Sequence, residues 1–295
     1  MRSTTTRRLG ALVAVGTLAA VVAACTPVDT TKLPLGDQLT STTATAGKVL
    51  SCITNFTGED GRGGGGAGTD GPWIDQAAHT WNKAKKLSIQ GKVTWPSTFK
   101  VTTGATGTSL TGNGLPSTPT GTFPVQSSDP AYQYDRNPNA IKAVAIQASL
   151  PTPKVAASPS CVGGMIGYSV LGVPIFSAFD AEGRDASAHE VQDSCDGHPQ
   201  KDGQYHFHAL SRCYTAPSWA DPGLFGYALD GFGIYVERDL GGALPSTASL
   251  DACHGRTSTI TWQGKKVSMY HYVATEDFPY LVGCFRGTPV QQRRP

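Results

Sequence analysis

Tyr205-His206-Phe207-His208 alternates aromatic rings with imidazoles directly after a turn signal, Asp202-Gly203. On an extended strand, residues two apart share a face, so His206 and His208 point the same way with Cβ atoms about 6.5–7 Å apart. Two imidazoles at that spacing can converge on one ion, so metal ligation is the chemistry this pattern suggests. His189 and His198 fall within the same twenty residues. His198, in a loop beside Cys195, is a candidate fourth ligand. His189, Glu190 and Asp193 are alternative ligands, or groups that orient a ring through its free N–H, and Tyr205 is a neighbouring phenol.

A further imidazole comes from an internal repeat. The stretch from Met165 to Phe176 and that from Leu224 to Tyr235 share a Gly-Tyr pair and a later Gly at an offset of 59 residues. Asp193-Ser194-Cys195-Asp196-Gly197 faces Asp251-Ala252-Cys253-His254-Gly255 at 58, Tyr205-His206 faces Tyr270-His271 at 65, and Cys213 faces Cys284 at 71. Preserved order with growing offsets reads as two copies, about 163–213 and 222–284, with insertions in the second. A pseudo-twofold pair of β-units would bring His271 to His206 and His208, although Val273 stands where a second His208 would be. His254, beside Cys253, joins the alternative ligands.

The repeat also predicts disulfides Cys195–Cys213 and Cys253–Cys284, one per copy, with Cys52–Cys161 tying the N-terminal part to them. No thiolate metal site has its usual spacing. Imidazoles without thiolate suit Cu(II) or Zn(II), and the Irving–Williams order favours copper. Against a metal stands the ordinary fate of a buried histidine, satisfied by a carbonyl or carboxylate, and the aromatic alternation of any half-buried strand.

The elements that must position these residues are strands. With 35 Gly, 20 Pro and 16% charged residues, the chain does not suit a helical bundle. The expectation is a mostly β (β-rich α+β) single domain, braced by disulfides and internally duplicated. Residues 47–56 and 92–96 read as strands, residues 73–86 as a short helix, and residues 102–130 as Thr-, Gly-, Ser- and Pro-rich loop.

Arg7 and Arg8 precede an apolar run to Ala24, the pattern of a signal peptide over residues 1–24. Val22-Ala23-Ala24-Cys25 is similar to the bacterial lipobox, which places a diacylglycerol on Cys25 and the protein outside the cytoplasm. Residues 25–46 then read as a flexible tether, 47–290 as the domain and 291–295 as a tail. Contact with the membrane would be through the Cys25 lipid only. The formal charge of +2 becomes −1 without Arg2, Arg7 and Arg8, which leaves no basic footprint for nucleic acid. A G-x-S-x-G elbow, a G-x-G-x-x-G turn after a strand and a P-loop are all missing from the sequence, so serine hydrolysis and nucleotide cofactors are not expected.

Three longer stretches carry a family resemblance: Asp193 to Pro199 with Asp202 to His208, Gly226 to Tyr235, and Leu250 to Gly255 with Met269 to Tyr272 and Asp277 to Gly287. Together they resemble the YHYH family of bacterial exported proteins and lipoproteins. The naming motif stands here as Tyr-His-Phe-His, so Phe207 lacks the second phenol. The resemblance implies an exported domain with a His-rich, metal-binding signature and no particular activity. Three functions then compete. One is metal binding at the envelope, and another a metal-dependent hydrolytic or oxidative enzyme with Glu190, Asp193, Glu276 or Tyr205 as acid–base groups. The third is a metal-free, disulfide-braced binding or adhesion module.

Overall fold

The computed structural model describes residues 27–53, 55–56, 70–216 and 221–291. The segment expected as a signal peptide, residues 1–24, and the expected lipidation site Cys25 lie outside them. No helix among the described residues is long and apolar enough to cross a membrane.

Among the described residues, sixteen short strands carry the fold, which is mostly β. In the N-terminal part these are β1 (Leu33–Pro34), β2 (Thr40–Ser41), β3 (Val49–Leu50), β4 (Ile74–Asp75) and β5 (Thr80–Trp81). A meander of β6 (Phe99–Gly104), β7 (Gly107–Gly112) and β8 (Ile146–Pro151) follows. The main sheet holds β9 (Met165–Ser169), β10 (Pro174–Phe176), β11 (Gly197–Pro199) and β12 (Tyr205–Phe207) in one half. Its other half holds β13 (Gly223–Ala228), β14 (Gly233–Val236), β15 (Gly255–Trp262) and β16 (Lys265–Val273). The one α-helix among the described residues, α1 (Ala186–His189), is a single turn capped by Asp185.

The main sheet is ordered β11-β12-β10-β9-β13-β14-β16-β15. Hairpins β9–β10 and β13–β14 meet at its centre through the antiparallel β9–β13 pair. On each side a strand then joins in parallel, β12 on β10 and β16 on β14, and an antiparallel strand closes each flank. The local rule that sets each flank is the same. Asp193 Oδ1 accepts from the Cys195 and Gly197 amides and the Tyr205 hydroxyl, while Asp251 Oδ1 accepts from Cys253, Gly255 and Tyr270. The glycine closing each Asp-x-Cys-x-Gly turn is required by packing: a Cβ on Gly197 would lie 2.2 Å from the Tyr205 ring. The disulfides are Cys52–Cys161, Cys195–Cys213 and Cys253–Cys284, the pairing that the repeat predicts.

Three local expectations are corrected. Residues 73–86 form no helix. Trp81 instead pairs with both Leu33 and Ile74 in the sheet β1-β5-β4, because strand β1 covers its other edge. Residues 33–46, expected as tether, belong to the folded body: Leu33 is fully buried and Leu35 nearly so, and the Gly36 amide donates to Asp185 Oδ2. Within 102–130, residues 107–112 pair on both sides in the β6-β7-β8 meander, where alternating Thr108 and Leu110 are buried.

Candidate metal centre

Antiparallel β11 and β12 set His198 directly across from His206. His208 follows two residues on, so strand alternation turns it to the same side. Tyr205 and Phe207 turn the other way, into the core, where each is fully buried. A phenol at position 207 would therefore face away from the histidines. The ligand atoms of His198, His206 and His208 all lie within 4.8 Å of one another, and all three side chains are buried.

Carbonyl oxygens decide the tautomers. His206 Nδ1 lies 3.1 Å from the Gln204 carbonyl and His208 Nδ1 lies 2.6 Å from the Ser177 carbonyl. A carbonyl only accepts, so each Nδ1 carries a proton, and whenever a ring is neutral its Nε2 offers a lone pair. Those two Nε2 atoms face each other at 3.0 Å. Burial, followed by the charges of His198 and His208, holds the His206 pKa well below its ordinary value, which keeps its Nε2 free to donate electrons. Phe176 of β10 stacks on the His206 ring, centroids 4.1 Å apart, and meets the His208 ring edge-on.

The fourth group is Glu190, whose amide closes the turn of α1 onto Ala186. Its Oε2 lies 3.3 Å from His198 Nε2 and 3.2 Å from His208 Nε2, without an aligned hydrogen bond to either. Burial would raise this carboxyl, but the His198 and His208 imidazoles hold it well below the usual range. Burial likewise pushes His198 down, and Glu190 reverses that and leaves it raised. Ligands about 2.0–2.1 Å from a tetrahedral ion stand roughly 3.3 Å apart. The three closest separations here approach that edge length.

His271 is placed elsewhere. Four strands separate β12 from β16, on the order of 24 Å at about 4.8 Å per strand. Its Nδ1 meets the Met269 carbonyl at 3.0 Å, as His206 meets Gln204, but its Nε2 meets Glu237 Oε1 at 2.6 Å. Opposite His271 stands Arg256, which binds the same Glu237. A guanidinium thus takes the register position that His198 holds in the other half. Burial would raise Glu237, and His271 and Arg256 keep it lowered.

The remaining candidates have other partners. Asp193, pushed up by burial, is saturated by Gly121, Cys195, Gly197 and Tyr205. His189 bridges Asp37 and Asp70. His254 Nε2 contacts the Thr275 hydroxyl, and Glu276 pairs with Lys83 at 2.6 Å. Sequence reasoning missed Phe176 as the ring under His206, and Lys86, which lines a pocket that reaches His208. Phe176 carried a signal: it aligns with Tyr235, whose ring is 5.2 Å from His271. Lys86 carried none.

No curated protein and no solved structure matches the chain. The model of one family does match, under the description YHYH protein. It covers residues 151–244, so the matched stretch includes Glu190, His198, His206 and His208.

Proposed function

We propose that this is an exported protein, anchored through lipid on Cys25, that binds one transition-metal ion through His198, His206 and His208 with Glu190 as a fourth ligand. Copper is favoured over zinc: three imidazoles and a carboxylate suit both, and copper is the tighter binder in the Irving–Williams order. The observation that carries this reading is the convergence of the His198, His206 and His208 ligand atoms within 4.8 Å of one another, with the His206 and His208 Nε2 atoms 3.0 Å apart and both Nδ1 protons given to carbonyls. Two neutral rings held this way set their Nε2 lone pairs against each other unless a proton or a metal ion lies between them. Second-sphere carbonyls that orient metal-bound imidazoles in this way are common.

Elemental analysis of the purified chain after exposure to equimolar copper and zinc tests the reading. About one equivalent of metal is expected, lost in His206→Ala/His208→Ala. No metal in the wild type, with the double variant merely less stable, would leave the metal-free binding module. A metal-dependent hydrolytic or oxidative activity is the second reading. It is supported by the pocket whose wall His208 forms.

A further inference from the structure

The pocket beside His208 lies where the segments after β5 and β12 meet the residues around α1. Trp81, Lys86, Gln192, Arg212 and Tyr280 share its wall with His208. Three lysine or arginine cations stand there, and two are neutralised: Lys83 by Glu276 and Arg212 by Asp196. Lys86 is different. Among the described residues no carboxylate is within ion-pair distance of it, and its ammonium donates to the Ser187 carbonyl and to Gln192 Oε1. An ammonium has three donors, so a third N–H is left for another acceptor.

Lys86 also shares the field of the histidine cluster. Its Nζ lies 5.8 Å from the centroid of the Trp81 ring. Burial lowers the amine to about 8 against the pull of Asp196, Asp185 and Glu190, and its charge disfavours protonation of His198. A partly buried cation held by neutral acceptors, at the wall of a pocket, is stabilised when an anion enters.

We propose that this pocket binds a small oxyanion, a carboxylate or phosphate group, held by the Lys86 ammonium beside the His208 side of the cluster. Arg212, at the more exposed side, adds a weaker attraction because Asp196 already engages it. The placement beside an ion rests on the metal reading above, while the Lys86 contact does not. A bound oxyanion would bring its remaining oxygens toward the cluster, which makes a small carboxylate or phosphate compound the substrate class for any metal-dependent reaction here.

The test is calorimetric titration of the full chain with inorganic phosphate, and separately with acetate, at constant ionic strength, with and without one equivalent of zinc. Expected is one site for at least one of the two anions. Lys86→Gln should weaken it at least tenfold with zinc uptake unchanged, Lys86→Arg should restore it to within about threefold, and Arg212→Gln should weaken it several-fold. No anion binding by the wild type, or equal affinity in Lys86→Gln, overturns the proposal. If Lys86→Gln melts too low to titrate, unchanged affinity in Arg212→Gln overturns it instead. Lys86-dependent anion binding in a chain that takes up neither copper nor zinc would sink the metal reading and leave the anion site standing.

Discussion

His206 and His271 have the same local surroundings, each following a tyrosine and each facing a carbonyl two residues back. What separates them is the residue across the ladder, His198 in one case and Arg256 in the other. A guanidinium cannot lose its proton in a protein, so Arg256 supplies a fixed cation where the other flank offers a lone pair. His271→Ala is therefore expected to leave metal content unchanged. It should cost about 1–3 kcal/mol of stability by leaving Glu237, mostly buried, with one partner fewer, read from denaturant unfolding beside elemental analysis. Glu190→Gln is expected to lower metal affinity at least tenfold in a competitive chelator titration, because an amide oxygen carries no net charge to offset the ion.

At the scale of elements, Cys195 opens the turn into β11 and Cys213 follows His208 by five residues, so that disulfide closes a loop around His198, His206 and His208. Cys253–Cys284 does the same around β15 and β16, which bear no histidine cluster. The loops span 18 and 31 residues, for which chain entropy gives stabilisation of about 3 and about 4 kcal/mol respectively. Removing either bridge by paired Cys→Ala substitution should cost on that order in unfolding free energy. Metal affinity should fall only when Cys195–Cys213 is removed, as a chelator competition would show. The β11–β12 ladder was legible because Asp-x-Cys-x-Gly and Tyr-His carry local rules. The β4–β5 hairpin was not, since Trp81 takes its partner from β1, some fifty residues earlier, and its own neighbourhood reads equally well as a helix.

For the whole molecule, the N-terminal part is bound to the sheet by Cys52–Cys161, across 109 residues, and by Asp185, which accepts from Gly36 and Tyr280. Global stability will respond to acid through His254. Burial depresses its pKa to about 3, while in the unfolded chain it titrates near 6.5. Between those values the unfolded state binds the extra proton, so stability is full above about pH 6.5 and is lost as pH falls toward 3. The loss is on the order of 3–5 kcal/mol. His254→Asn keeps a residue tolerant of the left-handed backbone at this position, φ 73°. It should flatten the dependence of unfolding free energy on pH over that window, whatever its absolute cost.

The sequence by itself determined the properties that follow from short-range periodicity and from counting. These are a mostly β chain, two histidines on one strand face, and a disulfide pairing read from landmarks in matching order. Strand alternation and turn chemistry act over a few residues, so they are visible wherever those residues stand. Only the tertiary structure decided which groups share the centre. The sheet order puts four strands between β12 and β16, which removes His271 and leaves His198 and Glu190 around His206 and His208. The same long-range packing carries Lys86 from the N-terminal segment to the wall beside them. Contacts between segments a hundred residues apart depend on how the sheet is ordered and covered, and no local pattern at Lys86 encodes that.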